Sequence, residues 1–122
     1  MYTKNVWNKY ESHEDIMNFA EDYKDFITKG KTERLCVEEI VRLAKEKGFV
    51  DIKEVKELKT GDKVYAVNKA KNIAVFVIGE QPIEQGLRVL GAHIDSPRLD
   101  VKQNPLYERN DFALLDTHYY GG

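Results

Sequence analysis

The chain has 122 residues, of which 42% are hydrophobic and 33% are charged, and its formal net charge is −2. This composition is typical of one soluble globular domain and excludes a fibrous or largely disordered chain. Because 19 basic residues nearly balance 21 acidic ones, no strong electrostatic field draws the protein to nucleic acid or to an anionic membrane surface.

Two helical patterns occupy the first part of the chain. Ser12 is the predicted N-cap of the first helix and Gly30 its predicted end, because apolar residues between them recur at spacings of three and four. The second helix is predicted to begin at Thr32 and to end at Gly48. The apolar stripes consist of Ile16, Phe19, Ala20, Tyr23, Phe26 and Ile27 in the first helix and of Val37, Ile40, Val41 and Ala44 in the second.

After Gly48 the hydrophobic pattern changes to that of strands. Residues 49–55 alternate and predict a short strand, and residues 59–62 predict a turn. Residues 63–70 and 73–78 predict a hairpin, although the turn between them lacks the favoured Asn-Gly pair. The unbroken apolar run of residues 73–78 predicts a strand that is covered on both faces.

The last part of the chain predicts two more strands. Residues 87–95 predict a strand that runs directly into Ser96 and Pro97. The chain is more polar from Arg98 onward, Asn104-Pro105 predicts a turn, and residues 114–120 predict another strand.

The order of the elements indicates an α/β fold, in which two N-terminal helices precede the strands of a layered sheet. Two helices on one side of that sheet would leave the other face of residues 73–78 bare. We therefore expect a covering partner, which could be more of the same chain or another subunit.

Other features of the sequence favour the cytoplasm. Cys36 is the single cysteine, so neither an intrachain disulfide nor a Cys-rich zinc cluster can form. The longest apolar run, residues 73–78, is far too short to span a membrane. Residues 1–10 contain no apolar signal region. We therefore expect a cytoplasmic protein that does not cross a membrane.

His93 and Asp95 are the residues best suited to chemistry. They lie two positions apart at the end of a predicted strand, so their side chains should project from the same face at the edge where α/β sheets bind ligands. A neutral imidazole is a good zinc ligand, and a neighbouring carboxylate can fix its tautomer. The alternative from spacing alone is a buried, structural His–Asp pair.

Asp116 and His118 repeat this spacing in reverse order. If residues 114–120 lay beside the strand 87–95, a four-ligand site of two histidines and two aspartates could form. Zinc requires three or four protein ligands, so His93 and Asp95 alone do not make a site.

The segment GAHIDSPRLDVKQNPLYE, which begins at Gly91, and the segment LLDTHYYGG, which begins at Leu114, resemble the N-terminal part of aspartyl aminopeptidases. These enzymes are dinuclear zinc aminopeptidases. The resemblance implies that residues 1–122 are the N-terminal part of a zinc-aminopeptidase-like α/β catalytic domain. It also implies that residues from about 104 to 122 begin the connection to an inserted domain, which helps to assemble large homo-oligomers.

The resemblance further implies an activity and residue roles. Such enzymes remove the N-terminal residue, often an acidic one, from peptides, and use two zinc ions that share a bridging carboxylate. His93 matches the first zinc ligand, and Asp95 matches the catalytic aspartate that orients this histidine.

This sequence lacks the rest of the family's site. The remaining ligands and a Glu-Glu pair that contains the general base should lie beyond residue 122, because Glu38-Glu39 precedes His93 and does not match. We therefore expect that the chain alone neither binds zinc tightly nor hydrolyses peptides. The competing hypothesis is a non-catalytic α/β module with a structural His–Asp pair.

Overall fold

The structure is a computed structural model that describes residues 5–10 and 12–121. Two predictions fall in part outside the described residues. They are the absence of a signal region in residues 1–10 and the connection to an inserted domain, which was predicted to extend to Gly122. The helices are α1 (Glu14–Lys29) and α2 (Glu33–Glu46), and the strands are β1 (Val50–Asp51), β2 (Lys63–Asn68), β3 (Asn72–Val77), β4 (Arg98–Arg109) and β5 (Phe112–Tyr120). The predicted order of two helices followed by strands is confirmed. No helix among these described elements is long and apolar enough to cross a membrane.

The sequence signals at the ends of α2 are confirmed. The hydroxyl of Thr32 accepts a hydrogen bond from the backbone N–H of Leu35 at 3.3 Å, which satisfies a free donor of the first turn. Gly48 follows the helix with a φ of +82°, a left-handed conformation that glycine adopts without steric cost.

The predicted start of α1 is wrong by one residue. The N-cap position is His13, whose side chain makes no capping bond. Ser12 instead accepts a hydrogen bond from the backbone N–H of Glu14 at 3.2 Å. Gly30 follows the last residue of α1 as predicted, and its N–H donates to the carbonyl of Phe26.

The first three strands form a mixed sheet with β2 in the middle. β2 pairs with β1 in parallel and with β3 in antiparallel orientation. The predicted strand 49–55 shrinks to β1, because the side chain of Asp51 accepts from the N–H of Lys53 and starts a short 3-10 helix. The hairpin turn places Lys69 and Ala70 at a φ of +52° in the conformation that Asn-Gly would favour.

The core lies between α2 and this sheet. Its buried apolar residues are Cys36, Val37, Ala44, Val64 and Tyr65. Consecutive strand residues point to opposite faces, so burial of both Val64 and Tyr65 shows that β2 is covered on two sides. None of the described residues of α1 is buried, and α1 packs on α2 from outside.

The prediction that residues 73–78 are covered on both faces is wrong for this chain. The side chains of Val75, Phe76 and Val77 are 44%, 43% and 64% exposed. β3 is an edge strand of the described sheet, and because consecutive residues point to opposite faces, these side chains are exposed on both faces of the strand. The exposed apolar surface that we expected on residues 73–78 is therefore present, but it is not confined to one face.

The predicted strand 87–95 is also wrong. Residues 86–97 form no strand, and Leu87, Val89 and Leu90 are 67%, 78% and 101% exposed. A strand requires a neighbour to satisfy its backbone donors and acceptors. None of the described strands pairs with this segment, so the apolar pattern remains without regular structure.

The last two strands form a separate antiparallel hairpin. β5 contains the predicted strand 114–120, but the predicted turn at Asn104-Pro105 is wrong. These residues lie within β4, where the register shifts between Val101 and Leu106. A proline cannot donate to a strand ladder and is tolerated at such irregularities. The turn lies instead at Asn110-Asp111, with φ angles of +53° and +63°.

A charged network joins the two helices. Glu39 of α2 is 8% exposed and accepts hydrogen bonds from Nε and Nη2 of Arg42 at 2.8 and 2.6 Å. The Nζ of Lys29, at the end of α1, lies 3.6 Å from the Glu39 carboxylate. The hydrogen bonds from Arg42, and its charge, hold the pKa of the Glu39 carboxyl below its usual range.

Truncation of the core at Val64 should destabilise the chain. Val64 is 1% exposed, so Val64→Ala leaves a cavity and should lower the free energy of unfolding by about 2 kcal/mol. Val77→Ala on the paired strand is the matched control, because Val77 is 64% exposed, and should change stability by less than about 0.5 kcal/mol. Urea denaturation measures both, and equal effects would contradict this location of the core.

Glu39 should make stability depend on pH. A carboxyl whose pKa is lower in the folded chain stabilises the fold above its unfolded pKa, and this stability is lost as the pH falls through the folded value. The wild-type chain should therefore lose stability below about pH 4.3, and Glu39→Gln should make this loss shallower. Glu38→Gln removes the same charge at an exposed neighbour. Denaturation at pH 3 to 7 would refute the assignment if both variants gave the same slope.

Candidate functional site

His93 and Asp95 contact each other in the loop that precedes β4. The Nδ1 of His93 lies 2.9 Å from Oδ1 of Asp95 and 3.0 Å from the backbone carbonyl of Asp95. The structure thus brings the two predicted residues together. The expected reason, a shared face of a strand, is wrong, because the loop folds back at Asp95 outside any described strand.

This contact determines which nitrogen of His93 is available. An ionised carboxylate and a backbone carbonyl are acceptors only, so Nδ1 must carry the proton and donate to them. In the neutral ring the lone pair then resides on Nε2. The His93 side chain is 75% exposed, so this lone pair is accessible to a metal ion. A carboxylate that orients a ligating imidazole in this way is the usual arrangement at zinc sites.

The carboxyl-terminal side of the loop adjoins a polar cluster, the Arg98 cluster, which consists of Glu33, Arg98, Asp100 and Tyr120. The Nε of Arg98 donates to Asp100 at 2.8 Å, and its guanidinium lies 4.1 Å from the centre of the Tyr120 ring. The Tyr120 hydroxyl donates a short hydrogen bond to Glu33. Nη1 of Arg98 is buried without a hydrogen-bond partner among the described residues, 4.0 Å from Glu33.

Hydrogen bonds and charges within the Arg98 cluster shift the pKa values of Glu33 and Tyr120. The hydrogen bond from Tyr120 is the main reason that the pKa of the Glu33 carboxyl is lowered. The same bond and the charge of Glu33 raise the pKa of the Tyr120 phenol, and the charge of Asp95 adds to this increase.

Sequence reasoning missed the Arg98 cluster. Arg98 and Tyr120 are direct partners in the register of the hairpin, which a correct prediction of that hairpin would have found. The contact with Glu33 joins residues 87 positions apart, and no local pattern in the sequence points to it.

The second pair of candidate ligands does not join the first. Asp116 is bonded to Lys102 at 3.0 Å, and His118 lies opposite Asp100 on the hairpin. Without a strand at residues 87–95, no register can place these residues beside His93. The described residues contain no group of three or more His, Cys, Asp or Glu side chains that could hold a metal ion. They supply one oriented imidazole toward a site that needs three or four ligands.

The sequence and the fold both match known proteins. A family model described as "Aminopeptidase I zinc metalloprotease (M18)" matches residues 26–122. A probable M18 family aminopeptidase 1 of Clostridium acetobutylicum is 48% identical over 125 residues, which are 98% of this chain and 27% of that protein. A protein of the same description from Thermotoga maritima is 46% identical over 100% of this chain and 27% of its own length.

Solved structures give the same result. The crystal structure of aminopeptidase I from Borrelia burgdorferi B31 matches with a TM-score of 0.78 at 41% identity, over 98% of this chain and 30% of that one. The M18 aminopeptidase from Thermotoga maritima matches with a TM-score of 0.75 at 46% identity, over 100% and 27% of the two chains. The chain thus spans about 27% of the length of the curated relatives it matches.

The proton on Nδ1 of His93 can be tested directly. Asp95→Ala removes the charged acceptor and leaves only the backbone carbonyl, so the share of the Nδ1–H tautomer should fall. The ¹⁵N chemical shifts of the two ring nitrogens, measured above the imidazole pKa, report this share. The ring of His118 in the same spectra serves as an internal control and should keep its shifts. Unchanged shifts at His93 would show that Asp95 does not hold the ring.

Proposed function

The chain belongs to the M18 family of zinc aminopeptidases, and from this premise we propose that it supplies the first metal-binding segment of an enzyme that removes the N-terminal residue from peptides. Membership rests on the match of the family model to residues 26–122. The observation that carries the proposal is the hydrogen bond of His93 to Asp95, which lies within the matched region and leaves Nε2 accessible. The resemblance of the motif to aspartyl aminopeptidases favours an acidic N-terminal residue as substrate.

His93 would bind the metal through Nε2, and Asp95 would hold the ring by accepting the proton on Nδ1. The carboxylate also makes the imidazole more electron-rich, which strengthens its bond to a cation. Zinc, when bound as a pair in the complete site, supplies a nucleophile at neutral pH and polarises the scissile carbonyl. We assign the other ligands and the general base to the part of the relatives' length that this chain does not span.

The chain by itself should be inactive under this proposal. One imidazole does not hold zinc tightly, because protein zinc sites use three or four ligands. The exposed apolar side chains of β3 and of the loop before Asp95 support a homo-oligomeric enzyme with further surfaces to cover. The absence of cysteine pairs in the sequence supports a cytoplasmic location.

The alternative of a structural His–Asp pair has little support in the geometry. A structural pair should be buried, because a buried pair with satisfied hydrogen bonds specifies a core. The His93 and Asp95 side chains are 75% and 39% exposed. They lie in a loop and contribute to no core of the described residues.

In the full-length enzyme that carries this segment, His93→Ala should abolish hydrolysis of peptides with an N-terminal Asp or Glu and lower the bound zinc. Asp95→Ala should lower metal affinity or activity by about 10- to 100-fold, as is usual for the partner of a ligating histidine. His118→Ala is the matched control and should retain both. Full activity and zinc content in His93→Ala would refute the assignment. Zinc-dependent hydrolysis by the 122-residue chain would refute its predicted inactivity.

A further inference from the structure

We propose that Arg98, Tyr120 and Gly121 are positioning residues that clamp the loop of His93 and Asp95 in the geometry required for metal binding. This inference rests on the proposed function, in which His93 binds the metal. We call these residues, together with Glu33, the loop clamp.

The clamp closes at a contact that only glycine allows. Gly121 has a φ of +74°, and a Cβ atom at this position would lie 2.5 Å from the carbonyl oxygen of Ser96 and 3.2 Å from the nitrogen of Pro97. These are backbone atoms, which cannot rotate away as a side chain can. Ser96 directly follows Asp95, so the chain after β5 presses against the backbone beside the candidate site.

Tyr120 holds Gly121 in this place. The Tyr120 ring packs against the guanidinium of Arg98, its partner in the strand register, at 4.1 Å. The hydroxyl of the same residue donates to Glu33 in the first turn of α2. Because Cys36 and Val37 of α2 are buried in the core, the clamp connects the loop to the helix that packs in the core of the described chain.

The loop has few other restraints. Outside the strands, no backbone hydrogen bond among the described residues involves residues 87–97. The apolar side chains of Leu87, Val89 and Leu90 are exposed. The end of the loop that carries Asp95 is therefore held at its carboxyl-terminal side. Arg98 follows it directly in the sequence, and Gly121 packs against its backbone at Ser96. Loss of the clamp should free Asp95 and, through it, the ring of His93.

The first test uses the 122-residue chain and needs no metal. In Gly121→Ala the added methyl group must displace Ser96, so the ¹⁵N shifts of the His93 ring should move in the direction seen in Asp95→Ala. Gly61→Ala is the matched control, because Gly61 has a φ of +89° but no atom within 4 Å of the added carbon. It imposes the same backbone strain without the contact and should leave the His93 shifts unchanged.

Two outcomes of this test would overturn the clamp. One is a wild-type His93 spectrum in a folded Gly121→Ala chain, and the other is an equal displacement in Gly61→Ala. If Gly121→Ala does not fold, Tyr120→Phe tests the clamp instead, because it removes only the hydroxyl that donates to Glu33. Its His93 shifts should move in the same direction, whereas Tyr119→Phe, at a neighbour that is 59% exposed, should leave them unchanged.

The second test measures zinc affinity by chelator competition in the full-length enzyme. Gly121→Ala should weaken zinc binding by about 10- to 100-fold, as does loss of the residue that orients a ligating histidine, and Gly61→Ala should not. If His93→Ala does not change zinc affinity, the proposed function fails, while the ring spectra still decide whether the clamp holds the loop. If His93→Ala weakens binding and Gly121→Ala does not, the clamp fails and the proposed function stands.

Discussion

Glu33 lies in the first turn of α2, where it accepts a hydrogen bond from Tyr120, 87 residues further along the chain. The same carboxylate lies 4.0 Å from Arg98, whose guanidinium covers the Tyr120 ring. This contact connects the long hairpin of β4 and β5 to the helix that forms the core. The loop of His93 and Asp95 lies just before this hairpin, so its position relative to the core depends on the same few atoms. A carboxylate near a helix N-terminus also interacts favourably with the helix dipole, which adds to the stability of this arrangement.

The rest of the fold depends on a simple constraint on burial. The described core contains one strand, β2, that is covered on two sides, and one helix, α2, that is buried in part. The apolar side chains of α1, β3 and the loop before Asp95 have no such cover. Apolar side chains exposed in such numbers favour burial against further protein surface. The relatives are almost four times as long as the matched segment, since this chain covers 27% of them, and they have the chain length to provide that cover.

Local signals in the sequence predicted much of the helical layer and the first hairpin. Thr32 and Gly48 act through their own backbone and side-chain chemistry, so the ends of α2 follow from a few neighbouring residues. The prediction of a strand at residues 87–95 was wrong because a strand, unlike a helix end, depends on residues far away in the sequence. An apolar pattern shows that a segment can pair, but the pairing depends on a neighbour that local sequence does not specify. The same limit applies to the contact of Tyr120 with Glu33, which local sequence does not specify. The turn predicted at Asn104-Pro105 was wrong because a proline fits an irregular strand as well as a turn.

The spacing of His93 and Asp95 correctly predicted their contact but not the backbone structure that produces it. Spacing predicted that the two side chains would meet, and they do, although a loop rather than a strand brings them together. A contact this exposed contributes little to folding stability, so the stability of the fold gives no reason to hold the ring in one orientation. The contact does, however, fix the proton on Nδ1 and present the lone pair of Nε2 outward. An arrangement that holds one tautomer and contributes little to stability agrees with the metal-binding role that we propose for His93.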